Sequence, residues 1–221
     1  MKPHAIYLHG FASSPKTAKG VALGERLRND VATYAVPALE GADFRSLTMD
    51  GIFARAEAAL RALPDDGAPA LVIGSSLGGY TAAFLAATGR LPRAAAMLLI
   101  APAFGFTDSW LARLGPAGIA DWRTRGERPF FHHARERELP LGVGFLTSCE
   151  ALPVLPGEPR LPTAIVQGRQ DESVDHRRVV EYALARSGVE LHLVDGDHRL
   201  TEPRHEDLLV WCAQDLIARL A

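Results

Sequence analysis

Cysteine is scarce: the 221 residues hold two, Cys149 and Cys212, and no CxxC pair. That excludes a disulfide framework and a cysteine-ligated zinc site, and fits buried thiols in a reducing compartment. Long hydrophobic runs are missing too. The longest, Ala94 to Phe106, is interrupted by Pro102 and Gly105 and falls short of the roughly 18 residues that span a bilayer. No apolar segment of a signal peptide follows Met1. The expectation is a soluble, cytoplasmic chain with no membrane partner. Neither charge sign is in excess. The formal charge is −2 and the pI about 6.4. With no basic stripe or polybasic tract, nucleic acid is not an expected partner either. Internal repeats and low-complexity tracts are absent.

What is present is a globular composition, 48% apolar, in a length that fits one domain over residues 1–221. Short apolar β runs alternate with helical stretches. Ala5–Leu8 precedes a helix from about Thr17 to Leu27. Val31–Val36 precedes a helix over Phe44–Leu63, whose Leu47, Ile52, Ala56, Leu60 and Leu63 share a 3.6-period face. Leu71–Gly74, Ala94–Ile100, Thr163–Gln167 and Val189–Val194 are the later strands, and Pro203–Leu220 is the closing helix. This βα alternation predicts an α/β fold, a doubly wound, mostly parallel sheet flanked by helices. The rhythm breaks between Ala101 and Pro162, which hold eight of the 15 prolines. Residues 104–160 therefore read as an irregular cap, or lid, inserted beyond the strand ends where a ligand would sit.

One stretch carries chemistry. Leu71-Val72-Ile73 runs into Gly74-Ser75-Ser76-Leu77-Gly78, and an Ala-rich helix follows. Chance supplies about 0.07 Gly-x-Ser-x-Gly pentapeptides in a chain of this composition, so the pattern alone is weak. Strand before and helix after give it meaning: a nucleophile elbow that lifts the Ser76 hydroxyl over the sheet. A serine hydroxyl needs a base, and the base an orienting carboxylate, in the chain order Ser, acid, His. Two later strand ends supply them. Asp171 is the first choice of acid over Glu172 and Asp175, the latter being a candidate helix cap. His198, in the loop after the last strand, is the base. His192 lies within a strand, and His205 reads as a solvated residue of the final helix. Backbone N–H groups of Leu77 and Phe11 are the candidate oxyanion hole, with His9 bracing the Phe11 loop.

Other features compete for attention. His132-His133 with Glu136 lacks a third ligand, and Asp195, Asp197 and His198 resemble a metal cluster only if Ser76 is ignored. No metal and no cofactor are expected. Phe104, Phe106, Trp110 and Trp122, with Phe130 and Phe131, either line an acyl pocket or form the insertion's own core.

His9-Gly10, Gly74 to Gly78, Asp171 and His198 together resemble the α/β-hydrolase superfamily. Tyr7-Leu8-His9-Gly10-Phe11, Ser13-Ser14-Pro15, Lys19 and Gly74–Tyr80 resemble, more narrowly, small bacterial esterases of the YqiA type. The resemblance implies an eight-stranded sheet with one antiparallel strand, of which this chain would lack the first two. It also implies a carboxylesterase or thioesterase acting through an acyl-enzyme on a small-molecule substrate. Ala12 stands where such relatives often carry a polar residue. Acyl transfer or C–C cleavage on the same groups, and a non-catalytic binding protein on this scaffold, are the alternatives. Acyl chain, leaving group and oligomeric state are left open.

Overall fold

The computed structural model describes residues 1–220. The elements in chain order are β1 (His4–Leu8), α1 (Ala18–Leu27), β2 (Thr33–Ala35), α2 (Met49–Arg61), β3 (Ala70–Ser75), α3 (Leu77–Ala87), β4 (Ala94–Ile100), α4 (Phe106–Arg125), β5 (Glu127–His132), β6 (Arg137–Gly142), α5 (Val143–Glu150), β7 (Thr163–Gly168), α6 (His176–Leu184), β8 (Val189–Val194) and α7 (Pro203–Ala218). Six strands form one sheet in the order β2-β1-β3-β4-β7-β8. All its pairings are parallel. The antiparallel strand of the larger sheet implied by the family resemblance is not among them.

Burial explains the strands. β1 and β7 are buried at every residue, as parallel strands covered on both faces must be. Alternate residues feed two apolar layers. Ile6, Leu8, Val72 and Leu99 face the layer containing Phe53 and Leu60 of α2 and Leu85 of α3. Ala5, Tyr7, Leu71 and Leu98 face the layer containing Leu23 of α1 and Leu209 and Leu216 of α7. The strand order reverses between β1 and β3, which places a crevice beyond their carboxyl ends.

The α2 region shows how local chemistry trims a periodic pattern. The apolar face begins at Phe44, but residues 44–46 form a 3₁₀ turn. The α-helix starts at Met49 because the Thr48 hydroxyl caps it, accepting from the Gly51 N–H at 3.1 Å.

Residues 151–160 are irregular as expected, but residues 106–150 correct the expectation of irregularity. They carry the long α4, the antiparallel β5–β6 hairpin and α5. Proline density misleads over 106–150 because Pro116, Pro129 and Pro140 occupy tolerant positions. Pro116 follows Gly115, whose left-handed φ of 63° kinks α4. Pro129 and Pro140 face each other in a ribbon of only two strands, where each strand has a free edge. This segment is stitched to the body. Trp122 Nε1 donates to the Leu141 carbonyl at 3.0 Å, and the Met49 N–H donates to Ser148 Oγ at 2.9 Å. His132 Nε2 meets Glu40 Oε2 at 2.7 Å. Trp122, Leu141, Phe145 and Cys149 lie in the same apolar layer as α2 and α3.

Candidate functional site

The elbow is built by close approach. A Cβ on Gly74 would lie 2.5 Å from the Gly78 carbonyl oxygen, and one on Gly78 would lie 2.0 Å from that of Leu8. Both positions require glycine, and together they let α3 start directly on top of β3. Ser76 between them takes φ 53° and ψ −118°, a backbone conformation that costs a side-chain-bearing residue of order 1–3 kcal/mol. Neighbours hold it there. The Ser76 N–H donates to Ile100 O at 2.9 Å, and its carbonyl accepts from Gly79, Tyr80 and Ala103 N–H groups.

The structure brings Ser76, His198 and Asp171 into one hydrogen-bonded line. His198 Nε2 stands 3.1 Å from Ser76 Oγ, and His198 Nδ1 stands 2.7 Å from Asp171 Oδ2. Three strand ends supply the three groups: β3, β7 and β8. The Asp171 side chain is fully buried, and burial alone would push its carboxyl up. The His198 contact, the Val174 N–H and the Gln167 amide outweigh that and hold it below the usual carboxylate range. Its other oxygen accepts from the Ser173 and Val174 N–H groups, each at 2.8 Å. Every contact on Asp171 is thus one that favours the anion. An anionic Asp171 accepting from Nδ1–H leaves Nε2 free to accept from the Ser76 hydroxyl.

Leu77 opens α3, so its N–H has no partner within the helix, and Leu77 lines the cleft beside Ser76. The loop after β1 closes over the same spot. A Cβ on Gly10 would lie 3.2 Å from Ser76 Cβ and 3.8 Å from Oγ, so the loop backbone at Gly10 runs hard against Ser76. His9 sets that loop. Its Nε2 accepts from Leu39 N–H at 3.2 Å, which leaves Nδ1–H to donate to Gly10 O at 2.9 Å. Burial pushes the His9 imidazole down, favouring this neutral form. Ala12 bends the loop with φ 52° and is buried.

Rival residues are placed elsewhere. Asp175 caps α6, accepting from Arg177 N–H at 3.0 Å. Glu172 is an exposed residue of the rim. His192 sets its ring edge-on to Trp211. His205 corrects the expectation of a solvated residue. It is 3% exposed, and its Nε2 lies 2.9 Å from the Asp195 carbonyl, where it braces the loop leading to His198. No group of three His, Cys, Asp or Glu among the described residues could hold a metal.

An open cleft of about 1160 Å³ lies over Ser76. Phe106 and Trp110 line it, as do Phe11, Phe130, Phe131 and Phe145. Phe104 and Trp122 do not, and this corrects the pocket expected from sequence. Phe104 packs against Tyr182, ring centroids 4.3 Å apart, and Trp122 is fully buried with its N–H spent on Leu141. Large aromatic residues of one segment were divided between core and cleft by packing alone. Gln167 escapes a sequence reading altogether. It is fully buried at the end of β7 and donates to Asp171 Oδ2 at 2.9 Å. The one available signal was a polar residue closing an otherwise apolar strand.

The family model of the Uncharacterised protein family (UPF0227) matches residues 4–208. Among solved structures, alpha/beta hydrolase domain-containing protein 10 from mouse superposes with a TM-score of 0.79 at 23% identity, covering 100% of this chain and 92% of that one. Est1E from Butyrivibrio proteoclasticus gives 0.76 at 21% identity, with 99% and 88% covered. An esterase from Pyrococcus furiosus gives 0.70 at 16%, with 100% and 84% covered. At such identities the likeness is one of fold. No curated protein matches the chain. The chain, an α/β-hydrolase fold by sheet and by structural likeness, belongs to the Uncharacterised protein family (UPF0227).

Proposed function

We propose that this protein is a serine hydrolase that cleaves carboxylic esters or thioesters of small molecules through an acyl-enzyme. The observation that carries the reading is the line from Ser76 Oγ through His198 to buried Asp171, set on a strained elbow. Esterases among the structural neighbours support it at the level of fold.

The chemistry follows from the contacts. His198 Nε2 takes the Ser76 proton as Oγ attacks the substrate carbonyl carbon. The imidazolium so formed faces Asp171, which stabilises it and keeps the proton-accepting nitrogen aimed at Ser76. The carbonyl oxygen becomes an anion, and the N–H groups of Leu77 and Phe11 are the donors we assign to that charge. His198 then passes its proton to the departing alkoxide or thiolate. Water, deprotonated by the same imidazole, attacks the acyl-enzyme and releases the acid with Ser76 restored. Every proton moves between the substrate, water and groups of the chain. His198 must be neutral to accept the proton.

Ser76→Ala should lower kcat on p-nitrophenyl acetate by roughly 10³-fold or more, with the fold retained by circular dichroism. A fluorophosphonate should label Ser76 in the folded wild type. A Ser76→Ala protein with full activity would sink the assignment, and folded wild type that takes no label would favour a binding protein on this scaffold.

A further inference from the structure

The cleft has two unlike walls. One wall is aromatic. Phe11, Trp110, Phe130 and Phe145 form a contiguous cluster, with Trp110 stacked on Phe130 at 5.3 Å and Phe11 edge-on to Trp110 at 4.9 Å. They pack against the apolar layer that holds α2 and α3. The other wall is polar. It is built from α1 and from the loops that follow β7 and β8: Lys19, Gln170, Glu172, Asp197 and Arg199.

The two walls take different parts of an ester. His198 delivers the proton to the leaving group, so the leaving group must depart on the His198 side. Asp197 and Arg199 are the chain neighbours of His198, and Lys19 lies within the electrostatic reach of Asp197. The leaving alcohol therefore meets the polar wall, and the acyl group meets the rings. Charge decides what kind of alcohol. On this wall Lys19 and Arg199 are balanced by Asp197 and Glu172, two against two, while Arg113 lines the cleft from α4, the helix that carries Trp110, so an anionic alcohol finds no excess of positive charge on the side where the leaving group departs. An alkyl alcohol would strip water from four charged groups and return no hydrogen bond. An alcohol bearing further hydroxyl groups can donate to the carboxylates and accept from the cations at once. Asp197 already spends one oxygen on the Arg199 and Leu200 N–H groups and keeps the other. Lys19 joins no ion pair among the described residues, whereas Arg26 and Arg204 are matched to Asp207 and Glu202. Burial pushes its amine down to about 8, opposed by Asp197, Asp171 and Glu206, so it is still largely a cationic donor at neutral pH.

We propose that the substrates are esters joining an aromatic acyl group to a neutral polyhydroxylated alcohol, a polyol or sugar. This rests on the serine hydrolase reading and specifies its substrate class. Planar acyl groups extend the ring cluster in the edge-on and stacked geometries already present. Hydroxyl groups on the alcohol occupy the mixed donors and acceptors of the polar wall.

The test is a matched set of esters on the purified protein: benzoate and hexanoate, each esterified to glycerol, to ethanol and to glycolate. Glyceryl benzoate should show the highest kcat/KM, about fivefold above glyceryl hexanoate and about tenfold above both ethyl benzoate and benzoyl glycolate. Trp110→Leu should shrink the benzoate-to-hexanoate ratio and leave the glycerol-to-ethanol ratio in place. Lys19→Met should do the reverse. Equal rates across the alcohols, a preference for glycolate, or hexanoate favoured over benzoate would overturn the proposal. Fluorophosphonate labelling separates the two levels. A labelled Ser76 with no such preferences overturns the substrate class alone, whereas an unlabelled Ser76 overturns the hydrolase reading and the substrate class with it.

Discussion

At the scale of single residues, the proposed chemistry rests on one strained backbone and one carboxyl held ionised. Ser76 sits at φ 53°, ψ −118°, a region glycine enters freely and alanine does not. Ser76→Gly and Ser76→Ala both remove the hydroxyl, but only glycine releases the strain. The glycine variant should therefore be more stable than the alanine variant by about 1 kcal/mol. Urea denaturation of the two decides it, and equal midpoints would mean the elbow stores no strain. Asp171 supplies the pH dependence. Its carboxyl is held below the usual range by His198, Val174 and Gln167 against the opposing effect of burial. The folded protein thus releases that proton more readily than the unfolded chain does. The resulting stability is complete above the ordinary carboxylate value near 4, and is lost as pH falls through the lower, folded value. Asp171→Asn should flatten the fall in urea midpoint between about pH 5 and pH 2, besides abolishing most turnover. An unchanged slope would show that Asp171 is not held anionic by its contacts.

At the scale of elements, the site depends on how closely two backbones meet. The Gly78 Cα lies where a Cβ would be 2.0 Å from Leu8 O, so α3, β3 and β1 cannot pack with any side chain there. Gly78→Ala should cost at least about 3 kcal/mol and lower turnover, since relief requires moving the Ser76 turn or the loop after β1. A thermal melt and an ester assay on the one variant check both, and wild-type values for both would refute the packing argument. The β1–α1 loop is held just as locally, with His9 bonded to Gly10 O and Leu39 N–H. These features were legible in the chain. Gly-x-Ser-x-Gly between a β run and a helix, and His-Gly after a first strand, state backbone requirements at fixed spacing. The cap was not legible. Its elements form around Gly115, Pro116, Pro129 and Pro140, which read as breakers when taken in order along the chain. They become tolerable only as a kink and a two-stranded ribbon.

At the scale of the whole molecule, residues 104–160 are not an independent lid. Trp122, Leu141, Phe145 and Cys149 share one apolar layer with α2, α3 and β3, and the Met49–Ser148 and Glu40–His132 contacts cross between body and cap. A cap that shares its core with the body unfolds with it. Calorimetry should show a single transition with equal calorimetric and van't Hoff enthalpies, and a separate lower transition would mark the cap as a distinct unit. The apolar layer also explains the cleft. With Trp122 and Phe104 committed to the core, Phe11, Trp110 and Phe130 form the aromatic wall of the cleft, and the buried Phe145 is its floor on the core side.

The amino-acid sequence alone determined the α/β alternation, the elbow at Ser76 and the order in which Asp171 and His198 follow it. Each is written in local terms: buried strands as continuous apolar runs, a tight turn as glycines at set spacing, polar groups just past strand ends. Tertiary structure decided what no local pattern encodes. It buried His205 against Asp195 O, set Gln167 beneath Asp171, and sent two of four candidate pocket aromatics into the core. These outcomes depend on which surfaces meet once strands and helices pack, as where Phe104 meets Tyr182, and periodicity along a chain carries no information about that packing.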